Sequence, residues 1–362
     1  EAVTNHLNSF PCHGSRAGFD RELEDADYAC RAALARLFNI SDPFRVIFTS
    51  GSTEALNLAI KGIDIRGGHV VTTLIEHNSV IRPLKTLERE GEIELTFVGC
   101  DANGYVAPDD IEKAIKPNTK AIILNHSSNV TGSIIDIQKI SEIAHKHGLL
   151  FVVDASQSAG TLPIDFEGWD IDALAFTGHK SLYGLPGIGG LCIKEGLNLK
   201  ALKTGGTGVL SEVLYQPDNL PLRYEAGTPN MPGIVSLKAG VDFVTKTGMD
   251  IIHDRKRSIV KRFISELSKH PKFIIHTHEE NNSLSNFCFN IRNMVPEEVG
   301  YFLESSYDIS VRTGLHCAPL ILEPMGVHPW GTVRVSPSYF TTDEEATKFI
   351  ESVIEVASYA KA

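Results

Sequence analysis

A lysine in a glycine-rich setting is the first residue whose position suggests chemistry. Lys180 follows the apolar run 173–176 and the turn Thr177-Gly178-His179. The run predicts a buried strand, and the glycines between 184 and 190 predict turns whose backbone can approach a ligand closely. Poor solvation disfavours the charged form of a lysine, and the neutral amine attacks carbonyl groups. Lys180 is therefore either a residue that forms a Schiff base or a lysine that merely follows a strand.

A hydroxyl-rich segment provides a candidate anion site. The strand predicted at 45–49 runs into Ser50-Gly51-Ser52-Thr53, and an apolar helix begins near Ala55. Free amides at a helix N-terminus, together with hydroxyls, suit a phosphate group. A plain Ser or Thr N-cap is the alternative interpretation. The segment is neither a Walker A loop nor GxGxxG, so a nucleotide is not indicated.

The elements that must position these residues alternate between strands and helices. Strands are predicted at 69–74, 95–98, 121–125 and 149–153, and helices at 21–38, 79–90, 108–115 and 137–147. This alternation predicts an α/β fold with a mostly parallel central sheet flanked by helices. In such sheets ligands bind at the carboxyl ends of the strands, where this sequence has several polar clusters.

Four side chains in these clusters fit parts of one cofactor. Asp154 directly follows a buried strand and needs a partner to stay charged, such as a lysine, an arginine, a cap or a protonated pyridine nitrogen. Gln157 and Asn129 can donate to a phenolate-like oxygen. His77 can stack on a ring or serve as a structural hydrogen bonder. Together with Lys180 and the phosphate site, this set matches pyridoxal 5'-phosphate.

Cys317 lies in a segment that favours a reactive thiol. It follows His316 in the loop 311–319, and Arg312 and Arg334 are candidate cationic neighbours. Cationic neighbours raise the thiolate fraction of a cysteine, and arginines bind carboxylates bidentately. An inert buried thiol is the alternative. The charged, non-periodic setting favours a thiol that attacks the side chain of a bound amino acid.

The length of the chain predicts a large and a small domain. With 362 residues, we expect a large cofactor-binding domain at 15–250 and a small α+β domain at 1–14 and 251–362 that carries the Cys317 loop. Residues 1–20 show no clear period. Beyond a helix at 232–245 and a bridging helix at 250–270, elements of the small domain are predicted at 273–276, 285–291, 296–305, 309–312, 332–335 and 344–360.

Composition excludes several classes of protein. The net charge of −11 argues against a nucleic-acid partner, and no apolar stretch reaches the length of a membrane span. Six cysteines without a CxxC pair do not form a disulfide scaffold or a zinc ribbon, and no metal site is expected. Free cysteines favour the reducing cytoplasm.

Seven ordered motifs resemble the class V aminotransferase family. They are TSGSTEALN, EHNSV, NHSSNVTG, VVDASQSAG, FTGHKSLYGLPGIGG, RYEAGTPN and VRTGLHCAP, and the resemblance runs from about residue 13 to the end. Within the family the chain is similar to the cysteine desulfurases and selenocysteine lyases, and RTGLHC resembles their SufS-like, type II branch. The resemblance implies the fold type I of pyridoxal-phosphate enzymes. The family usually opens with a strand and an Asp-Asn-Ala-Ala-like turn that helps to line the substrate site, and this sequence begins after that turn. Either those residues lie upstream of Glu1 or the substrate pocket is incomplete.

The resemblance assigns roles to individual residues. Lys180 would bind the cofactor covalently and move protons, Asp154 would pair with the pyridine nitrogen, and His77 would stack on the ring. Cys317 would attack the substrate sulfur and carry a persulfide. The remaining roles are binding roles: Asn129 and Gln157 for the ring oxygen; Ser52, Thr53, Thr177, His179 and, in a homodimer, Thr228 of the partner subunit for the phosphate; and Arg312 and Arg334 for the substrate carboxylate.

Several functions fit this pattern. The first is a cysteine desulfurase, which converts L-cysteine to L-alanine and passes sulfur from Cys317 to an acceptor that can be a protein. The second is a selenocysteine lyase, which acts on L-selenocysteine without needing the thiol. The others are a transaminase or lyase with an idle Cys317, and a scaffold of this fold that has lost catalysis.

Overall fold

The structure, a computed structural model, describes residues 1–9, 16–210, 212–277, 284 and 286–360, without the side chains of residues 9 and 16–25. Cys12 and the first residue of the strand predicted at 285–291 lie outside this part. The described helices are α1 (Ala2–Ser9), α2 (Arg16–Phe38), α3 (Ser52–Gly62), α4 (Asn78–Arg89), α5 (Pro108–Lys113), α6 (Ile137–Lys146), α7 (Met231–Thr247), α8 (Met249–Leu267), α9 (Pro296–Tyr307) and α10 (Asp343–Ser358). Among them, none is both long and apolar enough to cross a lipid bilayer.

A mixed sheet forms the centre of the larger part. Its strands are β1 (Val46–Thr49), β2 (Gly68–Thr73), β3 (Ile93–Val98), β4 (Thr119–Asn125), β5 (Leu150–Asp154), β6 (Ala173–Thr177) and β7 (Gly189–Ile193), in the spatial order β1-β7-β6-β5-β4-β2-β3. Every pairing among β2 to β6 is parallel. Apolar clusters cover both faces, one around α2 and α7 and the other around α3 and α4. The predicted α/β fold with a mostly parallel sheet is confirmed.

The sequence predicted turns throughout the glycine-rich segment after Lys180, and this prediction is wrong for its last two glycines. Gly189 and Gly190 begin β7, which runs antiparallel to both β1 and β6. A Cβ atom on Gly189 would lie 2.6 Å from the carbonyl oxygen of Phe176, and one on Gly190 would lie 2.5 Å from its ring. These glycines therefore permit the close approach of neighbouring strands rather than a turn.

A second, antiparallel sheet lies in the C-terminal part. Its strands are β8 (Phe273–Ile275), β9 (Phe287–Ile291), β10 (Arg312–Gly314) and β11 (Thr332–Val335), in the order β10-β11-β9-β8. Together with α8, α9 and α10 it encloses a separate apolar cluster. The strand predicted at 309–312 is wrong in its bounds, because only Arg312 pairs with β11 and the pairing continues to Gly314.

The N-terminal segment corrects another expectation. Residues 1–20 gave no periodic pattern, yet α1 forms there and packs against α7, which belongs to the region around the large sheet. This packing supplies contacts that the short polar helix could not gain alone. The division into domains at residues 14 and 250 stays a prediction.

Candidate active site

The carboxyl ends of β1, β2, β4, β5 and β6 meet at one edge of the large sheet, where they surround a cavity of about 260 Å³. The lining contains every predicted cofactor residue except Thr228: Ser52, Thr53, His77, Asn129, Asp154, Gln157, Thr177, His179 and Lys180. Parallel strands end at the same edge, so residues that lie far apart in sequence become neighbours. The cavity is therefore the candidate site predicted from the strand-end clusters.

One side of the cavity is rich in hydroxyl groups. Helix α3 begins at Ser52 there, and its first backbone N–H groups have no partner within the helix. The hydroxyls of Thr53 and Ser79 lie 2.8 Å apart, and the hydroxyl of Thr177 lies 3.1 Å from Nδ1 of His179. This set of donors suits a phosphate, in keeping with the prediction from the sequence.

His77 is held in a fixed orientation as the N-cap of α4. Its Nδ1 accepts a hydrogen bond from the backbone N–H of Ser79 at 3.1 Å. Burial is the main cause that lowers the pKa of the imidazole, the positive charges of Lys180 and Arg334 lower it further, and the negative charge of Asp154 opposes the shift. A neutral, fixed ring at the cavity wall can stack on a planar ligand.

Asp154 is buried at the end of β5, and one of its oxygens is already held. Oδ1 accepts hydrogen bonds from the backbone N–H of Ser156, at 2.9 Å, and from the hydroxyl of the same residue. Oδ2 makes no hydrogen bond within the described part of the chain. The geometry thus leaves one carboxylate oxygen available for a cationic N–H in the cavity.

Lys180 lines the same cavity as this carboxylate. Its side chain remains exposed to the open cavity, yet protein atoms surround the amine closely enough for desolvation to be the main cause that lowers its pKa. Asp154 acts in the opposite direction, and Arg334 adds to the lowering. A lowered pKa increases the fraction of neutral, nucleophilic amine at neutral pH.

The Cys317 loop is tied to the rim of this site from the other sheet. The carbonyl of Cys317 accepts a hydrogen bond from the backbone N–H of Asn78 at 2.7 Å, and the side-chain amide of Asn129 donates to the carbonyl of His316 at 2.7 Å. His316 and Cys317 both have left-handed backbone conformations, with φ of 51° and 57°. Two consecutive non-glycine residues in this region are uncommon, and such strain is concentrated at functional loops. The thiol of Cys317 is exposed.

The two predicted arginines form a directly opposed pair. Arg312 on β10 faces Arg334 on β11 in the antiparallel register. A guanidinium N–H of Arg334 donates to the carbonyl of Asn129 at 2.7 Å, which links β11 to the cavity. Like charges in opposed positions are unfavourable unless an anion lies between them, so the pair suits a carboxylate ligand.

Thr228 does not line the cavity that contains Lys180 and Asp154. It lines a different and larger cavity, of about 350 Å³, which also contains the Arg31–Glu225 ion pair. The predicted catalytic lysine and the free carboxylate oxygen of Asp154 both lie in the smaller cavity. A contact of Thr228 with the phosphate site of a second subunit stays a prediction.

Sequence reasoning missed several lining residues. Ser79, Asn125, Ser127 and Ser156 contribute polar atoms to the cavity and were not singled out. They lie in the same polar strand-end clusters as the predicted residues, so the clusters themselves were the available signal.

The residues of the cavity fit pyridoxal 5'-phosphate. Oδ1 of Asn129 is buried without a hydrogen-bond partner in the described structure, and one N–H of its amide remains after the bond to His316. With the free oxygen of Asp154, the amine of Lys180 and the hydroxyls near α3, the site offers a complementary group for each polar part of the cofactor.

Fold and site together define a fold type I enzyme, and comparison with known proteins gives the family. The aminotransferase class-V family model matches residues 10–349, and the chain belongs to this family. It is 31% identical to a "Probable cysteine desulfurase" of Methanothermobacter thermautotrophicus, covering 98% of this chain and 90% of the relative. It is also 31% identical to a cysteine desulfurase of Cronobacter sakazakii, covering 91% and 82%.

Solved structures agree with this assignment. The apo cysteine desulfurase of Thermococcus onnurineus superposes with a TM-score of 0.92 at 29% identity, covering 99% of this chain and 90% of that one. The cysteine desulfurase CsdA of Escherichia coli, in an S-sulfonic acid form, gives 0.90 at 25% identity, covering 99% and 91%. The predicted family and fold type are confirmed, and the SufS-like branch stays a prediction.

Proposed function

We propose that this chain is a pyridoxal-phosphate-dependent cysteine desulfurase that converts L-cysteine to L-alanine and takes the sulfur onto Cys317 as a persulfide. The observation that carries this proposal is the double attachment of the Cys317 loop, through Asn78 and Asn129, to the rim of the Lys180 cavity. An enzyme that acts only at Cα would not need a thiol there. The similar cysteine desulfurases named above support the same activity.

The residues proposed to hold the cofactor divide by the part that they bind. Lys180 would bind it covalently, Oδ2 of Asp154 would accept from the pyridine N–H, and His77 would stack on the ring. Asn129 and Gln157 are proposed for the ring oxygen, and the phosphate residues are Ser52, Thr53, Thr177, His179 and Thr228 of the partner subunit. When bound, pyridoxal 5'-phosphate supplies an electron sink that stabilises negative charge at the Cα of an amino acid.

The residues of the chain then act in sequence. Arg312 and Arg334 hold the substrate carboxylate. The amino group of the substrate would displace Lys180 from its covalent bond to the cofactor, and the amine released in this way removes the Cα proton. The Cys317 thiolate attacks the substrate sulfur, and an S–S bond forms as the Cβ–S bond breaks. The electron pair of the broken bond stays with the three-carbon fragment, which is protonated and leaves as L-alanine.

The proposal extends to assembly and to the cell. We propose a homodimer, because Thr228 lies outside the cavity of its own chain. The exposure of Cys317 suits transfer of the persulfide sulfur to a protein acceptor. The free cysteines of the described residues, Cys30, Cys100, Cys192, Cys288 and Cys317, suit the reducing cytoplasm.

A mass spectrum of the holoenzyme after incubation with L-cysteine tests the proposal. We expect one added sulfur on the peptide that contains Cys317, formation of L-alanine, and loss of both in Cys317→Ala. Cys100→Ala, which removes a half-buried thiol whose pKa burial raises to about 11, is the matched control and should behave as the wild type. Sulfur release from L-cysteine at the full rate in Cys317→Ala would refute the role of this thiol. Full activity of that variant on L-selenocysteine alone would instead identify a selenocysteine lyase.

A further inference from the structure

A second cavity adjoins the cofactor cavity and contains a lysine that the mechanism does not use. It has a volume of about 240 Å³ and shares Gln157 and Lys180 with the first cavity. Its lining also includes Arg334 from β11 and Lys256 from α8, and no aspartate or glutamate among the described residues lines it. The space next to the reactive lysine is therefore cationic.

Lys256 has no counter-charge in the described structure. The residue is only 7% exposed, and its amine makes one long hydrogen bond, 3.3 Å to the hydroxyl of Ser181. No carboxylate of the described residues lies within ion-pair distance. A buried ammonium without a partner is unfavourable, so its presence calls for an anion that enters the cavity.

The position of Lys256 on α8 is one that a hydrophobic residue would normally occupy. It lies on the apolar stripe of α8, at helical spacing from the buried residues Ile252, Ile259, Val260 and Phe263. A hydrophobic residue at this position would pack without a desolvation cost. The lysine thus occupies a core position whose side chain lines a cavity.

Arg334 supplies a second unsatisfied cation in the same space. One of its guanidinium nitrogens donates to the carbonyl of Asn129, whereas its buried Nε has no hydrogen-bond partner in the described structure. Desolvation lowers the pKa of both side chains, that of Lys256 to about 8, which agrees with two cations that lack an anion.

We propose that Lys256 is a further substrate-binding residue, whose ammonium binds the α-carboxylate of the amino-acid substrate together with Arg334. This inference rests on the proposed function, since it places the substrate's carboxylate in the cavity next to Lys180. An ammonium and a guanidinium on one carboxylate give charge-assisted hydrogen bonds, which are the stronger class. Lys256 then acts on binding and takes no part in proton or sulfur transfer.

The test compares holoenzyme variants with L-cysteine and with the product L-alanine. Lys256→Met should raise KM for L-cysteine at least tenfold with a much smaller effect on kcat, because the contact is equal in ground and transition states. Lys256→Arg, which keeps the charge, should recover most of the affinity. Lys348→Met, which removes an exposed lysine of α10, is the matched control and should not change KM.

A binding measurement separates this inference from the proposed function. L-Alanine should raise the thermal midpoint of the wild-type holoenzyme, and the dissociation constant derived from this shift should increase at least tenfold in Lys256→Met. Acetate, as a free carboxylate, should shift the thermal midpoint of the wild type much less than L-alanine does. An equal shift with acetate would overturn the assignment to the substrate's carboxylate. An unchanged KM and L-alanine affinity in Lys256→Met would overturn the role of Lys256. Failure of the wild type to release sulfur from L-cysteine would refute the desulfurase instead.

Discussion

Replacing Lys256 by methionine should make the folded chain more stable at neutral pH. Burial lowers the pKa of this lysine from 10.5 to about 8, and the side chain is only 7% exposed. At about 1.4 kcal/mol per pKa unit, the shift corresponds to a penalty of about 3 kcal/mol for the charged form. Methionine has a similar length and no charge, and it loses only the bond to Ser181, which contributes about 1 kcal/mol. We therefore expect a net gain of about 2 kcal/mol.

The pH dependence of this gain identifies its cause. Because the folded pKa of Lys256 lies below the unfolded one, the unfolded chain binds more protons between pH 8 and 10.5, and the stability of the wild type rises with pH in that window. Below pH 8 both states are protonated and the penalty is complete. The advantage of Lys256→Met should therefore be largest near pH 7 and should disappear towards pH 10.5.

Thermal unfolding at a fixed concentration of pyridoxal 5'-phosphate measures this effect. At about 2 °C per kcal/mol for a chain of this size, the midpoint of Lys256→Met should rise by about 4 °C at pH 7. Lys348→Met, at an exposed position, should leave the midpoint unchanged. A Lys256→Met variant that is less stable than the wild type at pH 7, or whose advantage does not change with pH, would refute an unpaired buried ammonium.

Three further substitutions test other parts of the structure. Glu76 is fully buried, and burial raises its pKa to about 8, so the stability gained by its protonation is complete below pH 4.5 and is lost as the pH rises to 8. Glu76→Gln should not show this loss, and its free energy of unfolding, measured with urea at pH 8, should exceed that of the wild type by a few kcal/mol. Equal free energies of unfolding for the two proteins at pH 8 would contradict a buried protonated carboxyl. Arg31 is 1% exposed and pairs with Asp27 and Glu225 at 2.8 Å, so Arg31→Met should cost about 3–5 kcal/mol, visible as a lower thermal midpoint. Asp154→Asn should weaken cofactor binding at least tenfold in an absorbance titration, because the charge-assisted bond is worth about 1.5–3 kcal/mol, and unchanged affinity would refute the pairing with the pyridine nitrogen.

Local sequence patterns predicted most strands of the large sheet. They failed where packing against a distant segment of the same chain determines the local structure. The apolar runs at 121–125 and 149–153 predicted β4 and β5 because both faces of these strands are covered. Gly189 and Gly190 predicted a turn, since nothing in their own segment shows that Phe176 needs the space beside them. The segment of α1 likewise showed no periodic pattern. This helix packs against α7, which lies more than two hundred residues later in the sequence.

The residues of the candidate site could be predicted from the sequence because the site consists of strand ends. Asp154, Lys180 and the residues near Ser52 each follow an apolar run, and a parallel sheet brings all such ends to one edge. Lys256 is visible in the sequence as a charged residue on the apolar stripe of α8. Periodicity alone, however, does not distinguish a lysine that faces a cavity from one that faces water.

The sequence by itself thus determined the fold type and the family, and it predicted the cofactor chemistry and the reactive thiol, because residue types and their place after strands carry that information. Only the tertiary structure decided that Asn78 and Asn129 hold the Cys317 loop at the cavity, and that Lys256 and Arg334 line one cavity together with Lys180. These contacts join residues of different sheets and helices. They depend on how the two parts of the chain pack, and packing is set by the whole set of buried side chains rather than by any local spacing.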